Sequence, residues 1–295
     1  GAMPVMEGKA MIFRQFAGVN AYPIILATQD TEAIIQTVKN IAPAFGGINL
    51  EDISAPRCFE IERRLIEMLD IPVMHDDQYG TAIVVLAGLV NALKVVKKKM
   101  QNIKIVILGA GAAGTAIAKT LISAGAKDVV VLDSKGVIAK KRPGLHGYKK
   151  ELAGIVNPRS ITGELKDAMR VADVFIGVSG PNLVNAEHIK LMGEKPIVFA
   201  LANPTPEIMP EEARRGGAYI IATGRSDFPN QINNALAFPG IFRGALDNNI
   251  KKITDEMKRR AAYAIAGIVK HPNPQNIIPS IFNKKLVGAV ARAMR

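Results

Sequence analysis

Tryptophan is absent from this 295-residue chain, and phenylalanine and tyrosine raise the aromatic fraction to only 5%. Surfaces that stack nucleic-acid bases depend on such rings. Acids are also in deficit, with 26 Asp and Glu against 38 Lys and Arg, for a formal net charge of +12. The cations are dispersed in short runs: Lys97-Lys98-Lys99, Lys140-Lys141-Arg142, Arg214-Arg215, Lys258-Arg259-Arg260 and Lys284-Lys285. No aromatic residues interleave with them, so solvated surface charge is the better reading and no nucleic-acid partner is expected. The positive field suits an anionic substrate or cofactor. A single cysteine, Cys58, excludes disulfides within the chain and fits a reducing cytoplasm. It reads as a small buried apolar residue on a helix. Lys94 and Lys97 to Lys99 interrupt the longest apolar stretch, so no membrane span is expected. No basic segment followed by an apolar core marks a signal peptide.

The chain is organised around the stretch from Lys104 to Asp133. Ile105 to Leu108 is a short apolar β-favouring run, as a strand buried on both faces should be. It breaks into Gly109-Ala110-Gly111-Ala112-Ala113-Gly114, and Ile117, Ala118, Leu121 and Ile122 then recur at helical spacing. A second run, Val129 to Leu132, ends at Asp133, 19 residues after Gly114. Gly109 permits the tight turn, Gly111 lets the backbone approach a pyrophosphate, and Gly114 lets the helix pack against the strand. The helix N-terminus offers free N–H groups to the phosphates, and Asp133 is placed for an adenosine ribose. A dinucleotide site in a doubly wound parallel α/β sheet follows.

Elsewhere the spacing predicts a helix carrying Met11, Ile12, Phe13 and Phe16 inward, a strand at Ile24–Ala27, and a helix over 28–40. Ile48 to Asp52 is expected to be a strand ending in two carboxylates, followed by a helix from about Ala55 to Leu69. The strand at Ile71–Met74 runs into His75-Asp76-Asp77-Gln78, and Gly80 to Val96 is a helix apolar nearly all round. Val137 to Asn157 reads as a polar loop. Strands at 174–177, 197–201 and 219–222 lead into Ser179-Gly180, Asn203 and the Asn233-Asn234 loop, and helices close the chain at 253–269 and 286–294.

Ligands of open α/β sheets bind at the carboxyl ends of strands, where these polar residues stand. Glu51, Asp52 and Asp77 are candidate ligands for a hard cation: carboxylates without thiolates or paired histidines suit Mg²⁺ or Mn²⁺, not Zn²⁺. They read equally as acids favoured by helix N-termini. His75 reads as an orienting or core histidine. Lys9 alone is a snorkelling surface lysine; beside a divalent cation and a charged nicotinamide its pKa would fall and its amine become a base.

Met6-Glu7-Gly8-Lys9-Ala10, Glu51-Asp52, His75-Asp76-Asp77-Gln78-x-Gly80-Thr81-Ala82, the glycine turn, Asp133-Ser134-Lys135-Gly136, Ala202-Asn203-Pro204-Thr205 and Asn233-Asn234 to Phe238-Pro239-Gly240 together resemble malic enzyme of the shorter prokaryotic type. The likeness covers the whole chain. It implies oxidative decarboxylation of L-malate to pyruvate and CO₂, with reduction of NAD(P). By that resemblance Lys9 takes the proton from the malate C2 hydroxyl, and Asp76 sets the protonation of Lys9. Glu51, Asp52 and Asp77 hold Mg²⁺ or Mn²⁺. Asn203 and Asn234 contact malate or the nicotinamide end, and Gly109 to Gly114, Asp133, Ser134, Ser179 and Gly180 line the cofactor. Asp133 favours NAD, although Ser134, Lys135 and Lys140-Lys141-Arg142 offer a seat for the 2′-phosphate of NADP.

The resemblance also implies a partial N-terminal substrate and metal domain over 1–78, a Rossmann-like dinucleotide domain over 79–248, a helical segment over 249–295, and a cytoplasmic homodimer. The general acid of the family is a tyrosine upstream of the lysine motif. Only eight residues precede Lys9, and Tyr22 and Tyr79 stand in the wrong contexts, so the expectation is cofactor and metal binding with poor turnover. Tyr79 also stands where relatives often have histidine. The competing expectations are a malolactic enzyme, a hydroxy-acid dehydrogenase without decarboxylation, and a non-catalytic nucleotide- or nucleic-acid-binding module.

Overall fold

The computed structural model describes residues 2–295. It opens with α1 (Ala2–Ala17), α2 (Thr31–Ile41), β1 (Ile48–Leu50), α3 (Arg57–Met68) and β2 (Val73–His75). β1 and β2 pair in parallel, Ile48 opposite Val73 and Leu50 opposite His75. Ile34, Ile35 and Val38 of α2 and Ile61 and Leu65 of α3 cover this small sheet. Asp30 caps α2 by accepting the N–H of Ala33 at 2.8 Å, a bond worth about 1 kcal/mol.

α4 (Asp76–Val96) follows β2 without a turn. It is long and apolar enough to cross a membrane, yet most of it is buried inside the fold. The expectation from Lys94 and Lys97–Lys99 is corrected here: those lysines sit at or beyond the C-terminal end of the helix. The apolar circumference packs instead against neighbouring helices and the large sheet.

Behind α4 come β3 (Lys104–Leu108), α5 (Ala112–Ser123), β4 (Asp128–Asp133), β5 (Gly136–Val137), α6 (Tyr148–Ile155), α7 (Leu165–Met169), β6 (Val174–Gly177) and α8 (Ala186–Lys190). β7 (Ile197–Ala200), α9 (Pro210–Arg215), β8 (Ile220–Thr223), α10 (Phe238–Asp247), α11 (Asp255–Ile268) and α12 (Leu286–Ala293) complete the chain. The large sheet has the order β5-β4-β3-β6-β7-β8. Its pairings are parallel except that of β4 with β5. Alternate residues of each strand serve opposite layers. Ile105, Ile107, Val129, Val131, Ile176 and Phe199 face the core built on α4 and α5, while Val106, Leu108, Val130, Leu132, Phe175 and Val198 face the other side. The order reverses between β3 and β6, which makes the gap beyond their carboxyl ends the ligand crevice of such sheets.

Three local expectations are corrected. Ile24 to Ala27 forms no ladder: Pro23 withholds a donor, and of the run only Leu26 packs against the core of the small sheet, while Ile24 and Ile25 are exposed. α1 buries Lys9, Phe13 and Ala17, one stripe at four-residue spacing, and leaves Met11 exposed. The stretch 137–157 contains the end of β5 and all of α6. Phe238-Pro239-Gly240 is the first turn of α10, with Pro239 at a position where the missing N–H costs nothing.

Candidate active site

The glycine turn is built by contacts that leave no room for side chains. Gly109 has φ +119°, and its N–H donates to Leu132 O at 2.9 Å. A Cβ on Gly114 would lie 1.8 Å from the carbonyl oxygen of Gly109, so the helix approaches the turn only because it is absent. Gly111 is different: a Cβ there meets nothing within 4 Å and points into open space. Tyr148 donates its hydroxyl to Ala110 O at 2.9 Å and fixes the rim.

That open space is a cleft of about 700 Å³ lined by Asp52 and Asp77 from the front part and by Gly109 to Ala113, Asp133, Ser134, Lys149 and Ser179 from the back. An adjoining cavity holds Lys9 and Glu51 and shares Asp52, Ile53 and Ser54 with the cleft. Glu51, Asp52 and Asp77 each present an oxygen within 4.8 Å of the others. Asp52 has φ +55°, and its N–H donates to Asp77 Oδ2 at 2.9 Å across 25 residues. This left-handed residue is the turn that lets two consecutive acids serve one point. Burial, Asp76 and Asp77 push the Glu51 carboxyl up, with Lys9 opposing. A divalent ion relieves that crowding of negative charge, so the oxygen donors fit Mg²⁺ or Mn²⁺.

Lys9 ion-pairs with Asp76 and reaches Glu51 Oε2 at 3.0 Å, and its Nζ lies 4.5 Å from the centre of the Phe238 ring. Phe13, one turn on in α1, packs on Phe238 at 4.8 Å, so aromatic packing sets the depth of the lysine. Burial presses the Lys9 pKa down, but Asp76 and Glu51 outweigh it and hold the ammonium above its ordinary value. The fall expected beside a divalent ion and a charged nicotinamide is not what the protein's own charges produce. Asp76 is fully buried, and its Oδ1 has no partner. Gly80 makes room for it: a Cβ there would fall 1.8 Å from that oxygen and 3.0 Å from Asn234 Cβ.

Asp133 is gripped by its own neighbours. Arg142 donates to both carboxylate oxygens at 2.8 and 2.7 Å, Lys149 donates at 2.6 Å, and the N–H of Lys135 at 2.9 Å. Partial burial is overcome by these donors, which hold the carboxyl far below its usual range. Ser134 and Ser179 line the same cleft, Gly180 follows on the Ser179 loop, and Asn203 lies beyond β7 against Gly224.

Two acids escaped the sequence reading. Glu62 is buried on α3 with Cys58, Ile61 and Leu65, and accepts the N–H of His75 at 2.7 Å and the Gln78 amide at 3.1 Å. An acid on the apolar stripe of a helix is the signal that exposes it. His75 is fully buried without partners for its ring nitrogens, and burial lowers its pKa. Glu207 is fully buried between Pro206 and Ile208.

Comparison with known proteins adds the lineage. The family described as "Malic enzyme, NAD binding domain" matches residues 78–293, and "Malic enzyme, N-terminal domain" matches 27–66. An NAD-dependent malic enzyme of Geobacillus stearothermophilus is 58% identical over 99% of this chain and 62% of its own length. A bifunctional malic/malolactic enzyme of Bacillus subtilis is 54% identical over 99% and 72%, respectively. An NADP-dependent malic enzyme of Halomonas elongata is 49% identical over 93% and 65%. The chain thus spans 62–72% of the length of these relatives. The crystal structure of the NAD-dependent malic enzyme of Thermotoga maritima superposes with a TM-score of 0.96 at 51% identity, covering 100% of this chain and 78% of that one.

Proposed function

The chain belongs to the malic enzyme family, and from that premise we propose that it oxidises and decarboxylates L-malate to pyruvate and CO₂ with NAD and Mg²⁺ or Mn²⁺. The observation that carries the proposal is the single cleft lined by Asp52 and Asp77 on one side and by the glycine turn and Ser179 on the other.

Glu51, Asp52 and Asp77 would hold the cation. When bound, it supplies Lewis-acid charge for the C2 oxygen and for the enolate left by decarboxylation, and the dinucleotide supplies the hydride acceptor. Lys9 is the residue placed to take the C2 hydroxyl proton, with Asp76 beside its amine and Phe238 beneath it. Gly109 to Gly114 seat the pyrophosphate, Asp133 and Ser134 the adenosine ribose, and Ser179 and Gly180 the cofactor. Asn203 and Asn234 act on malate or the nicotinamide end; Asn234 stands beside Gly80 and Asp76.

The finer cofactor assignment is NAD, because Asp133 presents a carboxylate to the ribose. Arg142 and Lys149 spend part of that charge, so discrimination against NADP is modest. Residues 1–78 form the substrate and metal part, 79–248 the dinucleotide part and 249–295 a closing helical segment. Cytoplasmic residence fits the lone buried Cys58. A homodimer is supported by the exposed apolar side chains of the N-terminal part, Met3, Val5, Met11, Tyr22, Ile24 and Ile25.

A second reading, release of lactate, rests on the bifunctional Bacillus subtilis relative. One assay tests both: L-malate with NAD and Mn²⁺, followed by reduced-nicotinamide absorbance and product analysis. Pyruvate with net cofactor reduction is the expected result. Lactate without net reduction selects the second reading, and no conversion of malate defeats both.

A further inference from the structure

Two loops at the carboxyl end of the large sheet are tied to each other by one side chain. Ser179-Gly180 follows β6 and Ala202-Asn203 follows β7, adjacent parallel strands. The tie comes from farther along the second loop, five residues past Ala202, before α9 begins. Glu207 turns a fully buried carboxylate back between them, Oε1 accepting the N–H of Ser179 at 2.8 Å and Oε2 the N–H of Ala202 at 3.1 Å. Its backbone repeats the stitch: Glu207 O accepts from Val184 N–H at 3.0 Å, and Pro206 O from Asn182 N–H at 3.1 Å. The end of β6 is shaped to admit it, since a Cβ on Gly177 would lie 2.4 Å from Glu207 Cδ.

A buried carboxylate without a cation is a costly choice for mere filling. Burial holds its carboxyl above the ordinary value, and every group that opposes the shift is a backbone N–H. Only an acceptor at both ends can serve two N–H donors aimed from separate loops, and among side chains that means an ionised acid.

We infer that Glu207 is a positioning residue that fixes the spacing between the Ser179-Gly180 loop and the Ala202-Asn203 loop, and thereby the seat of the dinucleotide's reactive end. The inference rests on the proposed function for what occupies that seat; the stapling of the loops stands on the contacts themselves. Glu207 touches none of Glu51, Asp52, Asp77 or Lys9 in this role, so its effect separates from that of the cation site.

The test compares the full wild-type chain with Glu207→Gln, which preserves volume but faces one loop with a second donor. Amide hydrogen exchange at Ser179 and Ala202, NAD affinity by calorimetry, and Mn²⁺ affinity are measured on both. In the wild type both amides are expected to exchange at least about tenfold more slowly than unprotected peptide. In Glu207→Gln one or both lose that protection, the NAD Kd rises about tenfold, equivalent to one charge-assisted bond, and Mn²⁺ affinity is unchanged. Free-peptide exchange at both amides in the wild type overturns the inference without any variant, as does a Glu207→Gln protein that keeps protection and NAD affinity. Wild-type protein that binds no NAD defeats the proposed function instead, and slow exchange at both amides upholds the staple even then.

Discussion

The backbone N–H of Asp52 donates to the side chain of Asp77 across 2.9 Å, joining the loop after β1 to the first turn of α4. Asp77 therefore both belongs to the proposed cation site and holds the backbone that presents Asp52 to it. Asp77→Asn keeps the volume and removes the charge. Its Mn²⁺ affinity is expected to fall by at least about a hundredfold, the upper end for groups that orient a ligand. Calorimetric titration checks this, and equal affinity in wild type and variant would dismiss the cation site.

Lys9 is tested by Lys9→Arg, which keeps a cation near Asp76 and Glu51 but cannot give up its proton at accessible pH. Loss of a general base corresponds to a kcat about 10²–10⁴-fold lower. Dinucleotide and Mn²⁺ affinities are expected to hold. Retained kcat would show that proton removal occurs elsewhere.

Two glycines of one turn should respond differently. Gly111→Ala adds a methyl group that meets no protein atom, so the melting temperature is expected to stay at the wild-type value while NAD affinity falls. Gly114→Ala drives its Cβ into Gly109 O, so both fall. Unchanged NAD affinity in Gly111→Ala would empty the cleft of its assigned ligand.

Cofactor preference is read through Arg142, the bidentate partner of Asp133. Arg142→Ala leaves Asp133 with more uncompensated charge facing the ribose. The kcat/KM ratio of NADP to NAD is expected to drop about tenfold, the weight of one charge-assisted bond. A rise in that ratio would reverse the role assigned to Asp133.

Glu62 makes stability depend on pH. Burial pushes its carboxyl up to about 7, against the His75 N–H, Lys258 and Gln78. The folded protein thus binds this proton more tightly than the unfolded chain does. The stabilisation is complete below the ordinary value of 4.5 and is lost as pH rises through about 7. Its size is on the order of 3 kcal/mol. Urea unfolding at a series of pH values should show this fall in wild type and a flatter profile in Glu62→Gln. Parallel profiles would refute it.

What the sequence made legible was local. The turn from Gly109 to Gly114 declares itself because strand, glycines, helix and Asp133 follow one another in one unit of chain. The gathering of Lys9 with Asp76 and Glu51 does not, since it depends on Phe13 seating α1 against Phe238, more than 200 residues away. Glu62 and Glu207 were missed for a related reason. Glu207 meets the backbone N–H groups of Ser179 and Ala202, and Glu62 meets that of His75 beside the Gln78 side chain; a backbone N–H carries no residue identity for a motif to display. The supposed strand at Ile24 failed because β-favouring composition does not supply a partner: the run joins neither sheet, and Ile24 and Ile25 stay exposed.

α4 begins with Asp76 and Asp77 and packs along its length against α5, the helix that rises from the glycine turn. Asp77, one of the three proposed cation ligands, and the proposed phosphate seat are thereby mounted on two rods clamped side by side. On the proposed function, neither ligand has to assemble the berth of the other, and the two are expected to load in either order with little mutual influence on affinity. The span between α1 and α2 joins no ladder, and its Ile24 and Ile25 line the neighbouring cavity.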